Sequence, residues 1–279
     1  MTVSVLVPSS LVREAEDKRE ATRKIGYVAR AATVFRVDRL VVFPDPDGER
    51  GDRGWGGGGF VHTVLAYAAT APHLRKEAWG RRSELEYAGV LPPLRVASRT
   101  GSGSNGSGSL RQGIVTEVGP DGRVRVNCGL QHPISLPSDG EYEEGERVTI
   151  RVSSRRPVRA KIEDVPPPGF DVERATIENA LTRPGAGVRI AASRHGETLS
   201  VDRLGRLTET IEDDVTVAFG APERGLPEIL DCEPGEEAPS DDEPTARFDL
   251  WLDTVPNQGS EVVRTEEAMF ATLAALTLE

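Results

Sequence analysis

Three short, glycine-bearing segments have the residue types and positions from which proteins build ligand sites. They are residues 193–196, 220–225 and 256–259, and each follows an apolar run typical of a buried strand. Open α/β sheets bind ligands in loops at the carboxyl ends of their strands, and glycine lets a backbone approach a ligand closely. The pattern therefore indicates a ligand pocket built largely from backbone amides and carbonyls, although plain strand-to-helix turns would give the same pattern.

The third segment lies in a strand–loop–helix pattern near the C-terminus. Residues 248–252 are nearly all apolar, as in a buried strand, and residues 256–259 favour a turn. Thr265 can cap a helix whose first turn is acidic, and the positive end of a helix favours carboxylates. The helix body, 268–278, is almost wholly apolar, so we expect it to be buried on most sides.

Strand and helix patterns at both ends of the chain must position these segments. Residues 3–43 are predicted to form strand, helix and strand, in which Ser9 or Ser10 can cap the helix. Further buried strands are predicted at 188–192 and 215–219. These patterns predict an α/β fold with a parallel sheet. The apolar stripe of the first helix, at spacings of three and four, consists of Ala21, Ile25, Val28, Ala32 and Phe35.

The middle of the chain differs from both ends in composition and in its pattern of apolar residues. Residues 99–109 have the glycine and serine composition of a flexible linker. Residues 110–165 then contain short β runs, two of them joined by a turn at 119–122, and they predict a small antiparallel β-barrel. Alternate residues of a strand share a face, so one face is expected to be basic and to contact nucleic acid, although a mere spacer domain is the alternative. That face carries Arg123, Arg125, Arg147 and Arg151.

The composition bounds this organisation. The 279 residues are 37% hydrophobic, enough for a large core, and we expect one discontinuous domain, 1–98 and 166–279, interrupted by the linker and the barrel. No apolar run reaches the roughly 18 residues of a membrane span, and the N-terminus does not resemble a secretory signal. We therefore expect a cytoplasmic protein. Cys128 and Cys232 have no CxxC or histidine pair beside them, so we expect no metal site.

The charge balance is unusual. The net charge is −11, yet only four of the 34 basic residues are lysine, a composition similar to that of proteins from salt-loving archaea. At molar salt the Debye length is roughly 3 Å. The acidity therefore does not argue against a nucleic-acid partner.

Other polar segments favour plain interpretations. Residues 45–59 are rich in glycine but lack the Gly-Lys-Ser/Thr of a phosphate loop, so we predict a mobile loop. A helix predicted over 61–79 ends in a basic cluster, which we interpret as a solvated helix end, with RNA contact as the alternative. The acidic residues 231–247 are interpreted as an exposed loop. The basic cluster consists of Arg75, Lys76, Arg81 and Arg82.

The segment PNQGSEVVRTEEA, residues 256–268, resembles the last cofactor-binding motif of the SPOUT superfamily of knotted methyltransferases. The similarity is to the archaeal and eukaryotic branch that carries an inserted OB-like domain. Five further stretches fit that branch in the same order along the chain. They are VLVPSS (5–10), GYVARAATVFRVDRLVVF (26–43), LEYAGVLPPLR (85–95), AASRHG (191–196) and FGAPERGLPEIL (219–230).

The resemblance implies a homodimeric enzyme that transfers methyl groups from S-adenosylmethionine to RNA and holds its cofactor loops in a deep trefoil knot. Arg30 matches an arginine that knotted RNA methyltransferases use near the substrate, so it is the predicted catalytic residue. Arg194 can pair with a carboxylate or a phosphate through its two-pronged guanidinium, and His195 is a possible base because histidine commonly serves as one in enzymes. The predicted cofactor-binding residues are Arg194, Gly196, Gly220, Glu223, Gly225, Asn257, Gln258, Gly259 and Thr265.

Three hypotheses about function follow. The first is a methyltransferase that depends on S-adenosylmethionine and acts on a base of ribosomal or transfer RNA. The second keeps the enzyme but makes the acceptor a protein side chain. The third is a non-catalytic RNA-binding or ribosome-assembly factor that has kept the fold, and cofactor binding separates it from the other two.

Overall fold

A computed structural model describes residues 2–49, 55–94, 96, 109–120, 122–138, 140–165, 167, 169–211, 214–233 and 248–278. The chain forms two compact units. The first, called the α/β unit, comprises Met1–Ala68, Ser83–Leu94 and Phe170–Glu279. The second, called the β unit, comprises Ala69–Arg82 and Arg95–Gly169.

The described residues contain strands β1 to β11 and helices α1 to α7. The strands are β1 Thr2–Pro8, β2 Arg39–Phe43, β3 Ser109–Val118, β4 Arg123–Asn127, β5 Ile134–Pro137, β6 Arg147–Arg155, β7 Val158–Glu163, β8 Asp171–Arg174, β9 Val188–Thr198, β10 Asp214–Phe219 and β11 Leu250–Asp253. The helices are α1 Lys18–Val34, α2 Gly58–Ala69, α3 Arg75–Trp79, α4 Ile177–Thr182, α5 Val201–Thr210, α6 Leu226–Leu230 and α7 Thr265–Leu276.

The α/β unit is built on a six-stranded sheet in the order β11-β9-β10-β1-β2-β8. Every neighbouring pair in this sheet is parallel. Its strands are short apolar runs because helices cover a parallel sheet on both faces. Leu6, Val41 and Ala218 meet in its core, each with none of its surface exposed. The predicted α/β class with a parallel sheet is therefore confirmed.

Helix α1 begins later than the serines that the sequence offered as its cap. Asp17 is the N-cap, and its carboxylate accepts a hydrogen bond from the Glu20 amide at 2.7 Å. Ser9 and Ser10 instead hydrogen-bond to Asp45. The predicted cap was therefore wrong, whereas the predicted apolar stripe is buried from Ala21 to Ala32.

The single helix predicted over 61–79 is interrupted. Helix α2 ends at Ala69 and α3 begins at Arg75. Pro72 lies in the gap, where it cannot donate a helical hydrogen bond and disfavours helical geometry in the residue before it. The Thr70 carbonyl accepts from Arg75 Nε at 3.0 Å, and the Thr70 hydroxyl accepts from Trp79 Nε1 at 2.9 Å. These two bonds hold the first and last residues of α3 to Thr70, which directly follows α2.

The β unit contains a five-stranded sheet in the order β5-β4-β3-β6-β7. Its neighbouring strands are antiparallel, and its two edge strands approach each other, so the sheet is nearly closed. The predicted turn at 119–122 joins β3 to β4. The predicted inward residues form the core of this unit and are at most 5% exposed. They include Val124, Val126, Cys128, Val148, Ile150 and Val152.

Two predicted loops fall largely outside the described residues. They are the linker at 99–109, of which only Ser109 is described, and the acidic segment 231–247, described as far as Glu233. Among the helices of the described ranges, none has both the length and the apolar character needed to cross a bilayer.

Candidate functional site

A cavity of about 240 Å³ lies at the carboxyl edge of the parallel sheet, where β9, β10 and β11 end or bulge. We call it the strand-end pocket. All three predicted ligand segments contribute to it or border it. Its walls are residues 192–195, 219–221, 223–225 and 253–255, followed by 261–263 and the start of α7.

The first wall is a bulge within a strand, not a loop after one. Strand β9 continues to Thr198, whereas the sequence predicted its end at Ala192. Trp251 of β11 pairs with Ala191, but the next residue, Leu252, pairs with Glu197. The five residues 192–196 are therefore not paired with β11, and four of them line the pocket.

Gly196 closes this bulge against β11. A Cβ placed on Gly196 would lie 2.5 Å from the Leu252 amide nitrogen and from the Trp251 carbonyl carbon. Gly196 does not line the pocket. Its predicted role in cofactor binding stays a prediction, and the structure gives this glycine a packing role: it lets two backbones touch.

The second wall is a tight turn at the end of β10. The amides and carbonyls of Ala221 and Arg224 bond to each other in both directions, at 2.9 and 3.1 Å. Glu223 between them has a φ of 58°, in the left-handed region. A Cβ on Gly220 would lie 3.0 Å from the Arg224 carbonyl oxygen. A side chain at position 220 would therefore crowd the backbone of this turn.

Thr265 connects this turn to helix α7. Its hydroxyl donates to the Gly220 carbonyl at 2.8 Å, and its side chain is buried. Thr265 is the first helical residue, so its predicted role as the cap was wrong. The N-cap is Arg264, whose amide donates to the Glu267 carboxylate at 2.9 Å. Thr265 thus fixes the second wall of the pocket to the start of α7.

The third predicted segment, 256–259, does not itself line the pocket, whereas residues on either side of it do. Asn257, Gln258 and Gly259 are not among the lining residues, whereas 253–255 and 261–263 are. The Gln258 amide donates to the carbonyls of Ser260 and Glu261 at 2.9 and 3.3 Å. Asn257 adopts a φ of 63°. These residues shape the loop whose two arms form the wall.

The pocket lining is mainly acidic. It carries the guanidinium groups of Arg194 and Arg224 and the imidazole of His195. Arg194 Nε lies 3.3 Å from His195 Nε2, to which it donates. Against these groups stand four carboxylates, those of Glu223, Glu228, Asp253 and Glu261.

Arg224 is committed to partners within the protein. Its Nε lies 3.1 and 3.2 Å from the two carboxylate oxygens of Asp45, and its Nη1 lies 2.7 Å from Glu228. Asp45 is only 2% exposed and also accepts from the Ser10 hydroxyl. Burial lowers the pKa of Arg224, but the hydrogen bonds to Asp45 and Glu228 outweigh it and raise that pKa overall. The arginine therefore stays charged and locks the turn to the end of β2.

Sequence reasoning missed Asp45 and Asp253 as parts of this site, and it missed the pairing of Arg224 with Asp45. Asp45 and Asp253 each lie at the carboxyl end of a strand, as do the predicted segments, so position alone was a signal. Arg224 lay inside a predicted segment, but its partner is 179 residues away in sequence. No local pattern reports such a pair.

Arg30, the predicted catalytic residue, is not among the residues lining the pocket. Its Nη1 donates to the carbonyls of Leu94 and Pro93 at 2.8 and 3.3 Å. Nearby, a Cβ on Gly26 would lie 2.6 Å from Pro92. Arg30 thus fastens the 91–94 segment to α1, and a catalytic role for it stays a prediction.

The predicted basic face of the β unit is divided. Arg123 and Arg125 are exposed on β4, whereas Arg147 and Arg151 on β6 are half-buried. Arg151 Nε lies 2.5 Å from Glu163, and burial lowers the pKa of Arg147. Residues 69–82 pack against β3, where the Ala71 amide donates to the Gln112 side chain at 2.8 Å.

An all-parallel sheet with a pocket at its carboxyl edge is the arrangement in which open α/β proteins bind their ligands. The chain belongs to the family described as "Putative RNA methyltransferase", whose model matches residues 2–276. It is 68% identical to an uncharacterised protein of Haloarcula marismortui, over all of this chain and 99% of that protein. It is 69% identical to an uncharacterised protein of Halobacterium salinarum, with the same coverage.

A more distant relative has a stated activity. The chain is 29% identical to the human 28S rRNA (uridine-N(3))-methyltransferase, over 99% of this chain and 77% of that protein. The chain is therefore an enzyme, an RNA methyltransferase. This confirms the first of the three hypotheses as far as reaction and substrate class.

Proposed function

We propose that the strand-end pocket binds S-adenosylmethionine as the methyl donor. When bound, this molecule supplies a methyl carbon attached to a positively charged sulfur, and it carries an ammonium group as well. The acidic lining supports the proposal most directly, because its four carboxylates outnumber its two guanidinium groups and Arg224 is already paired with Asp45. A cationic ligand is favoured in such a pocket.

The walls suit the other parts of this ligand. Gly220 and Gly225 bring backbone to the cavity, where amides and carbonyls can bond the adenine edge. Arg194 has no carboxylate partner among the described ion pairs and can bind the ligand carboxylate or an RNA phosphate. In this proposal Asn257, Gln258 and Gly259 act by shaping the third wall, and Gly196 by closing the bulge.

We also propose that the α/β unit is a SPOUT domain and that the β unit is its OB-like insertion. The strand order supports the first assignment, because β10 and β11 lie on opposite sides of β9 and bring their loops to one edge. The nearly closed antiparallel sheet supports the second. The deep trefoil knot follows from the SPOUT assignment. The domain boundaries proposed from the sequence, 1–98 with 166–279 and 110–165, belong to the same proposal.

The proposed acceptor is N3 of a uridine in large-subunit ribosomal RNA, the atom and base class named for the human, mouse and fly relatives. Uracil N3 carries a proton that must leave as the nitrogen takes the methyl group. His195, Asp253 and Glu261 line the pocket and have the chemistry to accept it. The electron pair of the broken bond to carbon stays on sulfur, which becomes neutral.

Mass spectrometry of ribosomal nucleosides tests the acceptor. RNA from a strain lacking this gene should lack 3-methyluridine in its large-subunit RNA, and the wild-type gene should restore it. Loss of a different methylated nucleoside would refute the uridine assignment and leave the methyltransferase assignment intact. An unchanged nucleoside profile would contradict both.

Titration with S-adenosylhomocysteine tests the pocket. Thr265→Val removes the hydroxyl that fixes the Gly220 turn, and we expect about fivefold weaker binding, equivalent to roughly 1 kcal/mol for one hydrogen bond. Thr277→Val is the matched control, because its hydroxyl donates to Leu273 at 2.8 Å at the other end of α7. Equal affinities for the two variants would move the cofactor away from this pocket.

The enzyme is proposed to be a cytoplasmic homodimer with Arg30 near its interface. Tyr27 and Val34 on α1 expose 44% and 46% of their surface on the same face of the helix as Arg30. Beside them, Phe35 contacts Phe270 of α7 edge to face at 5.9 Å. Sedimentation in high-salt buffer should give a dimer, and a monomer at micromolar concentration would refute it.

A further inference from the structure

The two units of the structure carry net charges of opposite sign. The β unit has 15 basic and 10 acidic residues, a net of +5, which leaves −16 for the rest of the chain. Residues 69–82 contribute four of the basic residues and one acidic residue, Glu77. They belong to the β unit, not to the α/β unit. The basic cluster first interpreted as a solvated helix end therefore adds to the positive unit.

Strand β4 supplies one part of an exposed basic surface. Arg123, Arg125 and Asn127 alternate with buried valines, so they share the outer face at intervals of roughly 7 Å. Arg123 donates to Ser135 of the neighbouring strand at 3.0 Å, which fixes its guanidinium. Arg125 lies 3.4 Å from Glu117, but both side chains are more than half exposed. An ion pair that exposed is weak enough to exchange for another anion.

Helix α3 continues this surface from the end of β4. The Asn127 amide donates to the Glu77 carboxylate, which occupies the one acidic group of the segment. His73 lies over Gly129, where a Cβ would come within 2.7 Å of the imidazole. These contacts hold α3 beside the arginine row. The exposed basic side chains that follow are Lys76, Arg81 and Arg82.

One of these side chains is oriented by an aromatic ring. The Arg82 guanidinium lies 5.2 Å from the centre of the Trp79 ring, and its Nε donates to the Trp79 carbonyl at 3.4 Å. Trp79 is itself held by Thr70. An arginine held in this way loses less conformational entropy when it binds an anion.

We propose that Arg123, Arg125, Lys76, Arg81 and Arg82 form one RNA-binding strip on the β unit. The proposal rests on the RNA methyltransferase function, and it assigns the substrate contact to residues from two separate stretches of sequence. Guanidinium groups bind phosphates through paired hydrogen bonds. At molar salt only such direct contacts survive screening. Arg147 and Arg151 are excluded, because both are half-buried and Arg151 is paired with Glu163.

The test compares three double variants of the full chain. Arg123→Ala/Arg125→Ala removes the β4 half of the strip, and Arg81→Ala/Arg82→Ala removes the two arginines that follow α3 and leaves Lys76 in place. Arg156→Ala/Arg159→Ala removes the same charge from exposed residues at the β6–β7 end of the same unit. Binding of a fluorescein-labelled, 20-nucleotide oligouridylate is measured across a KCl series. Circular dichroism confirms folding, and S-adenosylhomocysteine titration reports the pocket separately.

Both strip variants should bind this RNA about tenfold more weakly at the lowest salt. Their log–log salt slopes should fall by about 1.4, since each lost phosphate contact on a single strand contributes about 0.7. The control variant should match the wild type, and all three should keep their affinity for S-adenosylhomocysteine. An unchanged slope in either strip variant, or an equal loss in the control, would overturn the single strip. Failure of the wild type to bind S-adenosylhomocysteine would instead count against the proposed cofactor pocket.

Should a double variant unfold, Arg81→Gln and Arg125→Gln each test one half by a single exposed side chain. Each should lower the slope by about 0.7. Arg81→Lys should keep most of the slope, because lysine retains the charge. Loss of slope in Arg81→Lys equal to that in Arg81→Gln would contradict a phosphate contact at this position.

Discussion

The strand-end pocket and the proposed RNA-binding strip depend on different features of the chain. The pocket is formed by a bulge and turns whose backbones are held in place by buried contacts, such as that of Arg224 with Asp45. The strip is formed by exposed side chains on β4, on α3 and in the two residues 81–82 that follow α3. Substitutions that move backbone should therefore damage the pocket, whereas the strip should respond only to loss of its own charges.

The largest expected effect is at Asp45. Asp45→Ala leaves the Arg224 guanidinium, which is 13% exposed, without its buried partner. Breaking a buried pair from one side costs about 3–5 kcal/mol. We expect a clear fall in the free energy of unfolding and weaker S-adenosylhomocysteine binding, because the Gly220 turn loses its anchor. Oligouridylate binding per folded molecule should not change.

Glu228→Ala is the control for this prediction. Glu228 also bonds Arg224, but its side chain is 58% exposed. An exposed pair contributes less than about 1 kcal/mol. Equal destabilisation by the two variants, measured by denaturant unfolding, would show that burial of Asp45 is not what holds the turn.

The next largest effect is expected at Gly196. A Cβ at position 196 would collide with backbone atoms of β11, and these cannot move aside as the end of a flexible side chain can. We expect Gly196→Ala to cost about 1–3 kcal/mol, as overpacked sites do, and to reshape the 192–195 wall. Gly205→Ala in α5 meets nothing within 4 Å and should stabilise the helix slightly. Retention of full S-adenosylhomocysteine affinity by Gly196→Ala would break the link between the bulge and the pocket.

The sequence predicted some strands well, where their signals are local, but it missed β8 and the second half of β9. The run predicted at 215–219 is β10, Asp214–Phe219, and the alternation on β4 matches its burial. The break in the helix predicted over 61–79 was also readable, since Pro72 carries a strong local preference. The segments that line or border the strand-end pocket could be located for the same reason, because each comes directly after a buried apolar run.

Long-range pairing decided what the sequence could not predict. The bulge at 192–196 exists because β11 pairs with β9 on either side of it, and β11 lies more than fifty residues later. Ser9 and Ser10 lie too far before the start of α1 at Lys18 to cap it, and they hydrogen-bond instead to Asp45, which is more than thirty residues away in sequence. Arg147 and Arg151 have the right periodicity for an exposed face, but the periodicity cannot report that both are half-buried and that Arg151 pairs with Glu163 of β7.

The smallest expected effect concerns Glu266, which lies beside Thr265 and is only 7% exposed. Burial raises the pKa of its carboxyl, and the Glu267 carboxylate adds to that rise. A carboxyl whose pKa is higher in the folded state stabilises the fold below its unfolded pKa, and that stability is lost as pH rises through the folded value. At about pH 7 the ionised group is therefore unfavourable, and Glu266→Gln, which resembles the protonated acid, should raise Tm by a few degrees.

At about pH 4, below the ordinary pKa of glutamate, the wild type and Glu266→Gln should have the same Tm. A Tm difference that persists unchanged at low pH would mean that the effect comes from packing and not from the charge. Because Glu266 is absent from the pocket lining, S-adenosylhomocysteine affinity should stay the same, in contrast to Thr265→Val one residue earlier.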